Sequence, residues 1–410
     1  MIIITDGKLF SAEEGKLLPI ESGILKKYIN VARESARRNE WKYSGDGAKF
    51  TGTYVPHSDA DSAVEAISSR VTDVDFLSDG TMLYSLYING SAGIYAKPPD
   101  GGEEGIFISD NEYRYRDIAV NGERVLVTAE AAGECHIGMI EAGSRVCDFL
   151  TEGSSRESSP SWSKIYPDCF YYASAGLEEQ TVNEENSRSS YDDMSVADMM
   201  KAMKNNPSAV KRRQGPSGIF RMNMSSYEID ELLIDDRYNY TCPTEDDDGG
   251  LWFIRYPYRY DAGDKKKLST VLKDIVLFPV RLFGGILGFF DFFTMKYSGK
   301  TLNSSAGAAK SKSESQRFVL GNLIDAEREL KRNSEHGEEY PGYVPREYEL
   351  CRMNNGKTDV MARGICAYAL RGGDVYCSNG SYVLKLGDGK PEKICKADNV
   401  TAICLKNGER

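Results

Sequence analysis

The sequence predicts an all-β protein, a β-propeller of seven four-stranded blades with six as the alternative, closed by its terminal strands and carrying two α-helical insertions on one face. Three observations predict it. Alternating apolar runs broken by Gly-containing turns recur as hairpins, most clearly in "EWKYSGDGAKFTGTYV" from Glu40, "VDFLSDGTMLYSLYI" from Val74 and "PSWSKIYPDCFYYASAG" from Pro160. A second pair of short strands follows most hairpins, giving four strands about every 40 residues where nothing intervenes. The chain ends on a lone strand, "NVTAICL", and begins with three, "IIIT", "KLFSA" and "KLLPI", so both ends fit within one blade.

Weaker copies of the hairpin are "RDIAVNGERVLVTAE", "YNYTCPTEDDDGGLWFIRY" and "ICAYALRGGDVYCSNG". The second pairs are "AGIYAKPPDGGEEGIFIS", "CHIGMIEAGSRVCDFLT", "SGIFRMNMSSYEIDELLI" and "SYVLKLGDGKPEKICK". The choice between seven and six turns on "LKKYINVARESARRN", a connection in the first count and a helix in the second. The hairpins, Pro160-Ser161-Trp162-Ser163 and Trp41…Gly45-Asp46-Gly47…Phe50 above all, resemble those of TolB-like and dipeptidyl-peptidase-IV N-terminal-type propellers. That resemblance covers most of the chain and implies a fold without an activity.

Two segments interrupt the period, residues 178–216 and 261–343, each between the second and third strand of its blade. Strands in a blade are antiparallel, so both should leave from the face that also carries the blade-to-blade connections, forming a helical cap beside one mouth of the channel. In the first, Ser195 and Asp198 form a capping-box-like start, and Val196, Met199, Met200 and Met203 one apolar edge that docks on the propeller or on a partner.

The second holds the most apolar run of the chain, "LKDIVLFPVRLFGGILGFFDFFTM", residues 272–295. Sixteen residues separate Asp274 from Asp291; as a helix they cover roughly 24 Å, short of the ~30 Å of a hydrocarbon core. Arg281 near the middle adds about 2.5–3.5 kcal/mol against insertion. The run does not cross. On a helical wheel Ile275, Leu282, Phe283, Ile286, Leu287, Phe289, Phe290 and Phe293 share a broad arc opposite Asp274, Arg281, Gly284, Gly285 and Gly288. Lys265, Lys266 and Lys267 precede it, a composition suited to an anionic membrane surface. Packing within the cap is the competing destination, against "RFVLGNLIDAERELKR", where Val319, Leu323, Ala326 and Leu330 follow the helical period. A protein partner or self-association is the third.

Other chemistry is sparse. A net charge of −11 argues against general nucleic-acid binding. The nine cysteines lack CxxC spacing and read as buried, reduced thiols in a cytoplasmic protein, possible company for a membrane only at its periphery. The N-terminus lacks the pattern of a secretory signal. His57, His136 and His336 are too scattered to suggest a zinc site or a serine triad. Glu245-Asp246-Asp247-Asp248-Gly249 lacks calcium-loop spacing and reads as a solvated hairpin turn. No nucleophile elbow, HExxH or Walker motif occurs. The expectation is therefore a non-catalytic scaffold without cofactor or metal, docking through its cap on an anionic membrane surface or a protein. The alternatives are a hydrolase or lyase, or a small-ligand sensor, with its site at the channel mouth.

Overall fold

The computed structural model describes residues 1–39, 64, 67–180, 211–258, 316–387 and 389–405. The chain is mostly β, and among the described residues its strands form six largely antiparallel groups, the third and fourth joined into one nine-stranded sheet, beside a separate two-stranded hairpin. The first joins β1 (Ile2–Thr5), β2 (Lys8–Glu13) and β3 (Lys16–Ile20) to the last strand, β27 (Val400–Cys404), in the order β27-β1-β2-β3. Helix α1 (Gly23–Asn39) follows. It occupies the stretch on which the choice between seven and six depended, and the hairpin read from Glu40 lies outside the described residues.

The second group is β4 (Ser69–Phe76), β5 (Met82–Ile88), β6 (Ser91–Lys97) and β7 (Gly105–Ile108). The third is β8 (Arg114–Asn121), β9 (Arg124–Ala131), β10 (Glu134–Glu141) and the short β11 (Asp148–Phe149). The fourth runs β12 (Ser155–Trp162), β13 (Cys169–Gln180), β15 (Gly218–Asn223) and β16 (Ile229–Leu233), with β14 (Lys211–Gln214) lengthening the far end of β13. One parallel bridge, Cys135 to Arg156, links the third group to the fourth. The fifth is β17 (Tyr238–Glu245), β18 (Leu251–Pro257), β21 (Glu349–Asn354) and β22 (Lys357–Arg363). The sixth is β23 (Ala367–Arg371), β24 (Asp374–Ser378), β25 (Tyr382–Leu386) and β26 (Glu392–Lys396).

Period-2 alternation explains how these sheets stack, because successive side chains of a strand leave on opposite faces. In β5, Met82, Tyr84 and Leu86 enter a core with Ile2, Ile4 and Val74, while Leu83 enters another with Ile94, Tyr115 and Val127. Leu126 then turns from that second core to join Phe170 and Tyr172 of the fourth sheet. Tyr171 faces the other way, onto Tyr240 and Phe253 of the fifth. Trp252 and Ile254 meet Val375 and Cys377 of the sixth. Val383 and Cys395 of the sixth meet Ile3 and Ile403 of the first. Each sheet is thus covered on both faces, which is why the second strands read as unbroken apolar runs. The architecture is that of a β-propeller.

The turns follow from local chemistry. Asn355-Gly356 between β21 and β22 has φ of 50° and 76°, the left-handed pair of a two-residue hairpin that a Gly accepts without strain. The same geometry corrects one sequence reading. Val319, Leu323, Ala326 and Leu330 are not a helical stripe, because Leu320-Gly321 (φ 47° and 79°) turns the chain between β19 (Gln316–Val319) and β20 (Asn322–Asp325). Only then does α2 (Ala326–Glu335) start, capped by the Asp325 carboxylate, which accepts from Arg328 N at 3.1 Å. Val319 and Ile324 are buried and Leu330 is exposed.

Candidate functional site

The residues singled out as an interaction surface, Lys265, Lys266, Lys267, Ile275, Leu282, Phe283, Ile286, Leu287, Phe289, Phe290, Phe293, Met199 and Met203, all lie outside the described residues. The structure does place the ends of the segments that carry them. One long connection leaves β13 and returns at β15 (through β14), and the other leaves β18 and returns, by way of β19, β20 and α2, at β21. In both sheets these are the second and third strands of the ladder.

The described part of the second connection seats on a turn of the sixth sheet and on the connection that follows that sheet. Asn333 of α2 donates from Nδ2 to the carbonyls of Gly342 (2.6 Å) and Val344 (2.9 Å). Val344 N donates to Asn379 O at 3.2 Å, and Asn379 Nδ2 to Tyr340 O at 2.7 Å. Gly342 is required there, since a Cβ would lie 2.1 Å from the Asn379 carbonyl oxygen. Tyr343 and Val344 are buried with Val319, Ile324, Tyr348 and Cys366. Asn379 belongs to the β24–β25 turn, and Arg317 reaches Asp398 of the β26–β27 connection at 3.9 Å. The hairpin and α2 therefore cover the end of the molecule where such turns and connections emerge.

A second polar constellation lines the innermost strands. The ladder registers slip at Val71/Asp73, Tyr115/Ile118, Ser158/Ser161 and Thr241/Thr244, one bulge in each of four successive first strands. Bulges re-aim side chains, and polar ones beside these bulges bridge successive first strands. Asp73 accepts from Ile118 N (2.8 Å) and Asp75 from Val120 N (2.7 Å), each across to the next sheet. Asp117 accepts from Ser159 N (2.9 Å) and Thr128 Oγ1 (2.7 Å). Arg116 Nη1 donates to Glu130 at 3.3 Å, while its Nε has no hydrogen-bond partner. Tyr368 OH donates to Cys242 O at 2.5 Å.

These groups keep some accessible surface yet sit deep among protein atoms. Burial raises the Asp73 carboxyl well above its ordinary value, and the neighbouring Asp117 charge adds to it. Burial pushes Asp75 up to about 6 against the backbone N–H groups of Val120 and Phe76. For Arg116 burial works against the charge, but Asp117 and Glu130 outweigh it and the guanidinium is held above its usual value. The Asp75 shift has a measurable sign. A carboxyl raised on folding contributes stability that is fully present below its unfolded value near 3.9 and lost as pH rises through about 6. Relative to Asp75→Asn, the wild type should therefore gain on the order of 2–3 kcal/mol between pH 7 and pH 4 in urea unfolding; parallel pH profiles would refute the assignment.

The remaining titratable groups are engaged structurally. All nine cysteines are free, and burial raises every one of their thiols, so none is poised as a thiolate nucleophile at neutral pH. His136 Nδ1 lies 3.0 Å from Glu157, a buried carboxylate that also accepts from Thr151, Ser155 and Ser174 at the seam of the third and fourth sheets. The acidic turn after β17 needs correction: Asp247 and Asp248 are solvated, but Glu245 and Asp246 are not. Asp246 accepts from Trp252 Nε1 (2.8 Å) and Arg352 Nε (2.6 Å), and Glu245 is buried beneath the β12–β13 turn. Among the described residues no group of three His, Cys, Asp or Glu side chains is placed to hold a metal ion, and no helix is long and apolar enough to cross a membrane.

The stacked antiparallel sheets are those of a β-propeller. No family model matches the chain, and no curated protein matches it. Among solved structures it is similar to a chain of a nidogen/laminin complex, over 99% of this chain and 97% of that one, at 9% identity and a TM-score of 0.46. TolB from Acinetobacter baumannii is similar over 79% of this chain and 56% of its own, at 8% identity and 0.37. A prolyl endopeptidase is similar over 79% of this chain and 34% of its own, at 8% identity and 0.36. The chain thus spans about half the length of that TolB and a third of that peptidase. TolB-type and prolyl-endopeptidase-type propellers are among its neighbours in fold, and the likeness extends to no activity.

Proposed function

We propose that the protein is a non-catalytic interaction scaffold, a six-bladed propeller joined through its termini whose two long connections dock on a membrane surface or a protein partner. Six blades are supported by the six shared cores, which give every sheet a neighbour on both faces, and by the pairing of β27 with β1. A common face for the two insertions is supported by their equivalent places in consecutive sheets. That pair of openings carries the reading, since the longer one contains the amphipathic run 272–295. An enzyme finds less support. The channel carboxylates are already committed to backbone N–H groups, and the thiols are held protonated.

Vesicle co-sedimentation of the full chain tests the membrane form. The wild type should bind, and Phe283→Asp with Phe290→Asp should weaken binding at least tenfold, because each buried aromatic side chain contributes about 1.5–3 kcal/mol. Equal binding by both proteins, or binding by neither, removes it.

A further inference from the structure

Helix α1 carries a surface that the scaffold reading does not use. Its first turn anchors it: the Ser22 hydroxyl accepts from Leu25 N at 3.1 Å, Glu104 accepts from Ile24 N at 3.2 Å, and Ile24 and Leu25 pack against the core between the first two sheets. On a 100° wheel Ile24, Leu25, Ile29, Ala32 and Ala36 share one arc, and all five are half-buried, so that arc faces the body. Along one flank of that arc Lys26, Arg33 and Arg37 form a stripe, Lys26 and Arg37 exposed and Arg33 half-buried, spanning eleven steps, about 16 Å at 1.5 Å per residue. Lys27 and Arg38 lie on the other flank, with Asn30 and Glu34 exposed between the two rows and Arg38 paired to Glu34.

Five cations stand against one acid, Glu34, on a helix of a chain whose net charge is −11. Helix chemistry explains only some of them. Arg37 and Arg38 in the last turn complement the negative end of the helix dipole. Lys26 and Lys27 stand at the positive end, where the dipole disfavours them, and the first turn holds no acid. Their pairs with Glu21 and Glu103 are exposed, and such pairs contribute little. Among the described residues Arg33 and Arg37 have no ion-pair partner.

We propose that this stripe docks α1 on a membrane surface bearing acidic phospholipids. Charge complementarity selects the occupant. The stripe has no apolar cleft between its cations, and the helix exposes only Tyr28 (42%) and Val31 (67%) as large apolar side chains. A protein partner needs a desolvated anchor at the centre of its contact; a fluid layer of anionic headgroups needs only charge. The contact is peripheral, falls off within a Debye length and weakens with salt.

Co-sedimentation of the full chain with phosphatidylcholine vesicles, with and without about 30 mol% phosphatidylserine, tests this at about 50 and 300 mM salt. The wild type should bind only the phosphatidylserine vesicles and leave them at high salt. Each basic residue near an anionic surface contributes about 1 kcal/mol, so Arg33→Gln with Arg37→Gln should weaken binding roughly thirtyfold. Arg33→Glu with Arg37→Glu should weaken it further; Arg33 is half-buried and Arg37 exposed, so melting temperatures should stay unchanged. The charge effect should also persist in the Phe283→Asp, Phe290→Asp protein, which separates it from docking through residues 272–295. Unchanged binding by the Arg variants, equal binding to pure phosphatidylcholine, or no binding by the wild type overturns the proposal. Retention on immobilised polyglutamate without vesicle binding would assign the stripe to an acidic protein instead.

Discussion

Removing the chain beyond Asp398 is expected to abolish cooperative unfolding. The deletion takes away β27, the inner strand of the first sheet, whose Ile403 and Ala402 pair with Ile3 and Ile4. Val400 and Ile403 leave the core, and Ile3, Val383 and Cys395 lose their cover. Buried side chains of this size contribute about 1.5–3 kcal/mol each, so the loss is on the order of 5–10 kcal/mol. That is comparable with the whole stability of an ordinary domain, about 5–15 kcal/mol. The freed edge of β1 would also invite aggregation. Joining Cys404 to Met1 by a short linker and opening the chain between residues 181 and 210 should restore a cooperative urea transition, since the two ends lie side by side on paired strands. A truncated protein that unfolds cooperatively within about 1 kcal/mol of its parent would sink the idea that the termini unite the ring.

Local periodicity made the strands legible. "DFLSDGTMLYSLYI" and "RGGDVYCSNG" carry their turn residues between alternating apolar positions, and they form β4–β5 and β23–β24. Helix α1 was less legible because "LKKYINVARESARRN" sits where a connection between strand pairs could equally run. The stretch Val319 to Leu330 misled for the opposite reason, since four apolar residues matched a 3.6 period although Leu320-Gly321 breaks it. This polar constellation was invisible to linear reading, because Asp73 and Ile118, or Asp117 and Ser159, meet only when neighbouring sheets stack. One signal existed: an Asp recurs near the bulge of two successive first strands, in "VTDVDF" and "YRDIAV". Recurrence at equivalent places in a repeat marks a shared structural task, here the tie from one inner strand to the next.

Glu245→Ala should be the most destabilising single substitution of a surface-like acidic run. Glu245 is 2% exposed and accepts four hydrogen bonds, from Ser163 Oγ (2.7 Å), Lys164 N (2.7 Å), Ile165 N (3.0 Å) and Tyr171 OH (2.7 Å). All four donors belong to the fourth sheet, whereas Glu245 ends the first strand of the fifth, so one carboxylate fixes the β12–β13 turn across the seam. Burial by itself would raise this carboxyl, but Ser163, Tyr171 and the two backbone N–H groups outweigh it and hold it below its ordinary value. Truncation to Ala leaves those donors without an acceptor, at about 3–5 kcal/mol in total. Gln keeps an oxygen for the three donors that share Oε2 and turns its amide to the Tyr171 hydroxyl, which can accept, so Glu245→Gln should cost only about 1–2 kcal/mol. The sign with pH follows from the depressed carboxyl: its stabilisation is present above the unfolded value near 4.3 and is lost as pH falls through the folded value. The gap between wild type and Glu245→Ala should therefore narrow in acid, whereas the gap to Asp75→Asn changes in favour of the wild type. Urea unfolding of the three variants at pH 7 and pH 4 decides the matter; a loss under about 1 kcal/mol for Glu245→Ala, or equal losses for Ala and Gln, would show that the turn does not depend on this carboxylate.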